Sequence, residues 1–418
     1  DKSIGFYNLG ETNIENLNAY KAAEGNLKID IGADGVGNKR FTNTSYTGYE
    51  TQGTNVSAYS NKGIDLNPSD NYIENGVELE NENIQSSFGI LSNEAINLTS
   101  HQIRIYDKTE GNVGVMPHKN VLLTLGNGNI ELNGGETNIG IYVTDNYTDS
   151  SKATVTTAGA VKSTGDIKLE GGKGNLAIYA KGSTRPAGVN ETVIVRKVIS
   201  NNTKNSVAIY AADDGVSGNS TVGSVVKVTN GVTINGATVS ANPTIAGGES
   251  AGAVYATGEQ TSVNIDMPTI APATTPVTPA NPNITITGTE IVTIDPTTKA
   301  ATGTGSYTGF GLYAGKGAQI SAKNNNIKVV NGGTAIASVG KSGATPAVNS
   351  RIDLSGTATN AGGTVEYDGK GYALFSSEGG EIDLSYGTLT LRGSSTGYSR
   401  NVTGSSPITL SGTTLNVF

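Results

Sequence analysis

The 418-residue sequence has no cysteine and no tryptophan, only two histidines, few aromatic residues (6%) and few charged ones (15%). Each shortage excludes something. Without cysteine there are no disulfide staples, thiolate metal sites or cysteine nucleophiles, so the fold must be held by packing. The same absence suits export through a narrow pore, which a disulfide would jam. No stretch reaches the roughly 18 apolar residues of a membrane span, so this segment is expected not to insert in a membrane. A net charge of -8 leaves no basic stripe for phosphates, which argues against nucleic acid as a partner. The G-D-S-G, Walker A and H-E-x-x-H signatures are missing, and the two histidines, His101 and His118, have no serine and acidic partner visibly arranged around them. No catalytic residue, metal site or cofactor is therefore assigned, and the chain is expected not to be an enzyme.

What is abundant is glycine, 57 residues, together with one recurring phrase. It reads "SIGFYNLG" from residue 3, "NIGIYVTD" from 138, "NLAIYAKG" from 175, "SVAIYAAD" from 206, "GAVYATG" from 252, "GFGLYAGKG" from 309 and "YALFSSEGG" from 372. Period-2 alternation dominates and helical spacing is almost absent, which predicts an all-β chain. Between returns of the phrase pass two more short strands. Leu312 is followed by Ile320, Ile327 and then Ile336, 24 residues on, and Ile90 by Ile96, Ile103 and Val115, 25 residues on. A unit of about 24 residues with three short strands and no helix predicts one coil of a parallel β-helix, a β-solenoid with loop insertions. An immunoglobulin-like array also has short strands, but it would not bring one phrase back every third strand.

Alternation then sorts the phrase. Leu176, Ile178 and Ala180 are expected to face the core, and Ala177 and Tyr179 the solvent. Aligned coils would stack Tyr142, Tyr179 and Tyr210, and would set Glu131 beside Lys168. After each of these three tyrosines the next strand is delayed by a longer loop: "TDNYTDSSKAT", "KGSTRPAGVNE" and "AADDGVSGNST". Loops held side by side on a rigid scaffold are common binding sites. The candidate ligand-binding residues are therefore Tyr142, Tyr179, Tyr210, Asp145, Tyr147, Arg185 and Asp213, with the rings giving contact area and the charges polar specificity. The whole chain, 1–418, is expected to be one continuous β-helix segment, with loop insertions at 33–52 and at the proline-rich 267–300.

These Cys-free, Gly/Ser/Thr/Asn-rich coils with "NIGIYV", "NLAIYAKG", "SVAIYAAD" and "GFGLYAGKG" resemble passenger domains of type V autotransporters, most closely the large outer-membrane adhesins of fusobacteria. The resemblance covers roughly Ser3 to Tyr398 and is a repeat signature. It implies a right-handed β-helix at the cell outer membrane surface, a virulence-associated adhesin that attaches to host cells or other bacteria through surface glycans or protein receptors. It also implies tethering by a barrel domain outside this chain, because no long series of alternating membrane strands is present. The chain is thus expected to be a segment of a larger passenger. Two other readings stand beside this one. A polysaccharide-degrading β-helix would use outward carboxylates such as Asp166, Glu170, Asp353, Glu381 and Asp383, and a structural stalk would bind no ligand.

Overall fold

In the computed structural model the described residues form short strands, and no helix occurs among them. Up to residue 102 only strand backbone is described. From Ile103 side chains are described as well, apart from 106–110, 112, 118–120, 145–158, 183–185, 214–222, 240–250, 260, 269–281, 289–308, 332, 342–348, 370, 394–395 and 401–405, and the side chains at 104, 127, 396 and 398–400. Two compact units are present, residues 1–198 with 224–226 and residues 199–223 with 227–418.

In the first unit the phrase-bearing strands form one wall. Ile139–Thr144 lies between Val113–Pro117 and Leu176–Lys181, all parallel, with Val115 opposite Ile141 and Ile141 opposite Ile178. A second wall pairs the start of Leu122–Asn133 with Ala160–Ser163, and Ala160–Ser163 with Val193–Val195. A third pairs the end of Leu122–Asn133 with Asp166–Glu170. The second unit repeats the plan. Its phrase wall runs Val207–Ala212, Gly252–Thr257, Phe310–Gly315, Thr334–Val339, Tyr372–Ser377 and Thr396–Arg400. Its second wall runs from Ser262–Asn264 through Gln319–Ser321, Arg351–Asp353 and Glu381–Asp383 to Ile408–Thr409. Its third runs from Val232–Thr238 through Ile284–Thr287, Asn326–Val330, Thr364–Asp368 and Thr388–Arg392 to Thr414–Val417. This is a parallel β-helix with three strands per coil. The pairing confirms the spacing read from the sequence, since Ile90 lies opposite Val115 and Leu312 opposite Ile336.

Stacked aliphatic rows fill the interior. Ile130 and Ile167, Ile141 and Ile178, and Leu312, Ile336 and Leu374 are register partners with essentially no exposure. Such rows suit β-branched side chains, which pack on their own kind across a pleated surface.

The phrase wall departs from strict alternation at its first step. Leu176 is half-exposed, while Ala177 and Ile178 are both buried. The cause is the corner at which the chain enters the wall. A Cβ added at Gly140, the residue equivalent to Ala177, would lie 3.0 Å from Ile167 Cγ2 on the third wall and 2.6 Å from the Ala177 carbonyl oxygen. At Gly311 it would lie 2.7 Å from Ile327 Cγ2. The small residue beside the tyrosine therefore points inward across the corner, not outward as alternation predicts. Alternation resumes at the third residue, which leaves the tyrosine outside.

The two insertions read from the sequence contain ordered strands. Lys28–Asp34 forms an antiparallel hairpin with Asn38–Thr44, and Asn38–Thr44 lies parallel to Asn71–Val77. Residues 45–52 lie outside the description. Within 267–300, Ile284–Thr287 rejoins the third wall between Val232–Thr238 and Asn326–Val330. The proline-rich residues 269–281 lie outside the described residues.

Candidate functional site

Within each unit, parallel register aligns the fourth residues of the phrase strands. In the first unit Tyr142 lies opposite Tyr179, with ring centroids 4.9 Å apart and planes 10° from parallel. Met116, almost buried, and Val113 pack beneath Tyr142. In the second unit Tyr210, Tyr255 and Tyr313 are successive register partners. Their rings stack at 5.3 Å and 6°, then at 4.7 Å and 7°. Ala337 and Phe375 continue that column. The Phe310 ring lies over Gly252, where a Cβ would come within 2.3 Å of Phe310 Cζ, and stands edge-on to Tyr255 at 6.2 Å. Offset stacking of this kind contributes about 0.5–1.5 kcal/mol per pair beyond simple burial. Tyr255 has both faces covered, by Tyr210 and Tyr313, so the middle of this ladder offers a phenol edge and hydroxyl along its outer side.

Charge gathers beside the second ladder, just past the C-terminal ends of its strands. Asp213 follows Val207–Ala212, and burial, helped by the Asp213 carboxylate, pushes the Tyr210 phenol above its ordinary range. Gly258, one coil on, packs on Asp213, since a Cβ there would lie 2.2 Å from Asp213 Cγ. Glu259 holds Lys341 through a 2.6 Å ion pair. That bond, with a smaller contribution from Asp213, raises the Lys341 ammonium above its usual value. Tyr210, Asp213, Glu259 and Lys341 thus belong to one patch. No family model, curated protein or solved structure matches this chain.

Of the residues selected from sequence, Tyr142 and Tyr179 meet in one ladder, and Tyr210 and Asp213 in the other. Asp145, Tyr147 and Arg185 lie outside the described residues, as does His118. His101 sits in the strand Ile96–Ile105 with its backbone opposite Gly128. Tyr255, Tyr313, Glu259 and Lys341 were not selected, although "GAVYATG" and "GFGLYAGKG" carried the tyrosines at the same place in the phrase. The choice had followed loop length, which does not decide where the column runs. The sequence also holds two G-x-S-x-G matches, at 248–252 and 393–397. Their central residues Ser250 and Ser395 lie outside the described residues, and the strand-to-helix turn that such a nucleophile needs has no helix among the described ones.

The carboxylates of the glycan-cleaving alternative have structural partners. Asp166 is nearly buried and receives two bonds from Arg196, Nε to Oδ1 at 2.7 Å and Nη2 to Oδ2 at 2.8 Å. Asp353 Oδ1 accepts from the Ser355 amide at 2.9 Å and hydroxyl at 2.6 Å, and Asp383 does the same with Ser385 at 3.0 and 2.7 Å. Burial pushes the Asp353 carboxyl up, but Ser355, Lys323 and Arg351 together outweigh it and hold it below the usual range. The repeated "IDLS" is therefore a corner motif in which aspartate closes a turn on the serine two residues on. Glu381 accepts from Asn349 Nδ2 at 3.1 Å. Glu131 and Lys168 form the expected pair across coils, at 3.0 Å. Among the described residues no group of three or more His, Cys, Asp or Glu side chains is placed to hold a metal ion.

The three walls differ in what they show to water. The second and third carry Lys162, Lys168, Lys227, Lys328, Arg351, Asp353, Glu366, Asp383 and Arg392 on their strands. On the phrase wall the strands from Ile139 to Ser377 carry a single charged residue, Lys181, among the described residues.

Proposed function

We propose that this chain is a segment of a surface-exposed bacterial adhesin, an autotransporter passenger displayed at the outer membrane, and that it attaches to host cells or other bacteria by binding glycans or protein receptors on its phrase wall. The observation that carries the reading is the contrast between walls: one outer surface is aromatic and almost free of charge, while the other two are charged. Tyrosine rings left partly exposed on a wall almost without charge offer a surface for a partner, and tyrosine supplies contact area at small entropic cost. Because stacking covers both faces of Tyr255, contact there is made through its ring edge and hydroxyl, supplemented by Asp213, Glu259 and Lys341 in the second unit. This reading assigns the chain no catalytic step.

Glycan-array and receptor-capture measurements on two variants test it. Tyr142→Ala with Tyr179→Ala empties the first ladder, and Tyr210→Ala with Tyr255→Ala and Tyr313→Ala empties the second. Loss of binding in either variant, with unfolding curves near wild type, supports the wall as the site. Full binding by both rejects it. A structural stalk is the second reading, favoured by the regular cross-coil pairing of outward charges, and it expects no ligand in either assay.

A further inference from the structure

We propose that the tyrosine ladders are sites of oxidative coupling, at which a peroxidase-type one-electron oxidant joins neighbouring coils through dityrosine. Three features point there. Ring centroids on successive coils lie 4.7–5.3 Å apart with planes within 10° of parallel, so each of these phenols has a second phenol as its stacking neighbour. Tyr142, Tyr179, Tyr210, Tyr255 and Tyr313 are all partly exposed, so an external oxidant can reach their edges. The register that brings them together is fixed by the β-ladder on which they stand, so the encounter needs no diffusion and little loss of freedom.

The chemistry is balanced with hydrogen peroxide as the oxidant, used by a haem peroxidase. Each of two phenols gives up one electron and its hydroxyl proton and becomes a neutral tyrosyl radical. The two radicals form a carbon–carbon bond between ring positions ortho to the oxygens. The ring protons at the new bond leave and the oxygens are reprotonated, which restores two phenols. The protein loses two hydrogen atoms, and one peroxide becomes two waters. Each bond ties one coil to the next on a wall whose sequence contains no cysteine to do so.

The protein carries its own controls. Tyr386, 40% exposed, packs against Gly412, and Tyr367 is fully buried. Trypsin separates the ladder partners, because Tyr255 falls in peptide 228–299 and Tyr313 in peptide 300–316, which also contains Tyr307. The full chain is treated at low concentration with hydrogen peroxide and a haem peroxidase. Dityrosine fluorescence is recorded, and peptide pairs are mapped by mass spectrometry. The expected result is monomeric protein, lighter by two hydrogens per bond, with 228–299 joined to 300–316. Tyr313→Phe and Tyr255→Phe each retain a stacked ring and should abolish that pair, while Tyr386→Phe should leave it unchanged. The proposal is overturned if free tyrosine couples under the same conditions and the protein does not. It also fails if coupling is only between molecules, or if the peptide pair survives Tyr313→Phe by way of Tyr307.

Discussion

Asn175 offers the sharpest test of how the corners are held. It is fully buried at the turn between the third wall and the phrase wall. Its Oδ1 accepts from the Asn138 amide at 2.9 Å, and its Nδ2 donates to the Gly134 carbonyl at 2.9 Å, so one side chain ties two backbone groups of the preceding coil. The turn is shaped around it: Gly172 has φ +75°, and a Cβ there would lie 2.2 Å from Asn175 Nδ2. In Asn175→Ala the Asn138 amide loses this acceptor and the Gly134 carbonyl loses this donor. Removing a partner from a buried polar group costs about 1–3 kcal/mol, and because Gly134 is partly exposed the sum should be about 3 kcal/mol. Asn175→Asp refines the test. Its carboxylate can still accept from Asn138 but faces the Gly134 oxygen without a proton to give. That carboxyl should titrate above its ordinary range, so the variant should be weak at neutral pH and recover as the pH falls and the acid form donates to Gly134. Urea unfolding of the full chain, with hydrogen exchange at Asn138, reads both effects. If Asn175→Ala costs less than about 0.5 kcal/mol, a typical surface value, and Asn138 exchanges at the wild-type rate, the bridging role is refuted.

Three further outcomes follow from the same geometry. Gly140→Ala should cost about 1–3 kcal/mol, since its Cβ would lie 2.6 Å from the Ala177 carbonyl oxygen and backbone must shift to admit it, and Gly140→Val should cost more by also crowding Ile167, both measurable as lower urea midpoints. Tyr367 is fully buried and its hydroxyl accepts from the Gly371 amide at 2.9 Å; burial, reinforced by Asp368 against that amide, pushes the phenol up to about 12. Its folded value lies above an unfolded value of about 10, so about 2–3 kcal/mol of stability is complete below pH 10 and lost as the pH rises toward 12. Alkaline titration should show that loss in the wild type and a flatter curve in Tyr367→Phe. Glu366 sits between Lys328 Nζ and Arg392 Nε, each 2.9 Å away; burial pushes its carboxyl up, but the two cations outweigh burial and hold it low. A lowered folded value means stability that is present above the unfolded value of about 4.3 and disappears as the pH falls below it. Glu366→Gln should therefore cost about 1 kcal/mol at neutral pH and nothing in acid, as thermal scans at both pH values will show.

The coil was legible because register is a matter of spacing, and spacing survives changes of letter. Spacing alone aligns Val115, Ile141 and Ile178, and Glu131 with Lys168. What escaped were features that depend on where the backbone bends. Strict alternation put Ala177 outside, but two successive residues face inward where the chain rounds a corner. "GGKGN" at 171 repeats the backbone of "GGETN" at 134. Gly134, Gly135 and Thr137 have the same left-handed φ as Gly171, Gly172 and Gly174, 37 residues later, and Asn138 precedes its strand as Asn175 does. The repetition was hidden because threonine stands in for glycine at one left-handed position. The candidate site was half legible. The tyrosine column is visible in the phrase, but the approach of Glu259 to Lys341 joins residues 82 apart and leaves no local pattern.

The corners also set what this scaffold can tolerate. Leu312 and Ile336 are 24 residues apart, Ile336 and Leu374 are 38, and both pairs fall into the same row. Spacing between walls is thus decoupled from alignment within them, since each bend resets the pleat before the next strand begins. Foreign segments grafted between Thr144 and Ala160 should leave the interior undisturbed. Natural variation in the segments that join strands can exchange one sequence for another while the rack that carries it stays the same.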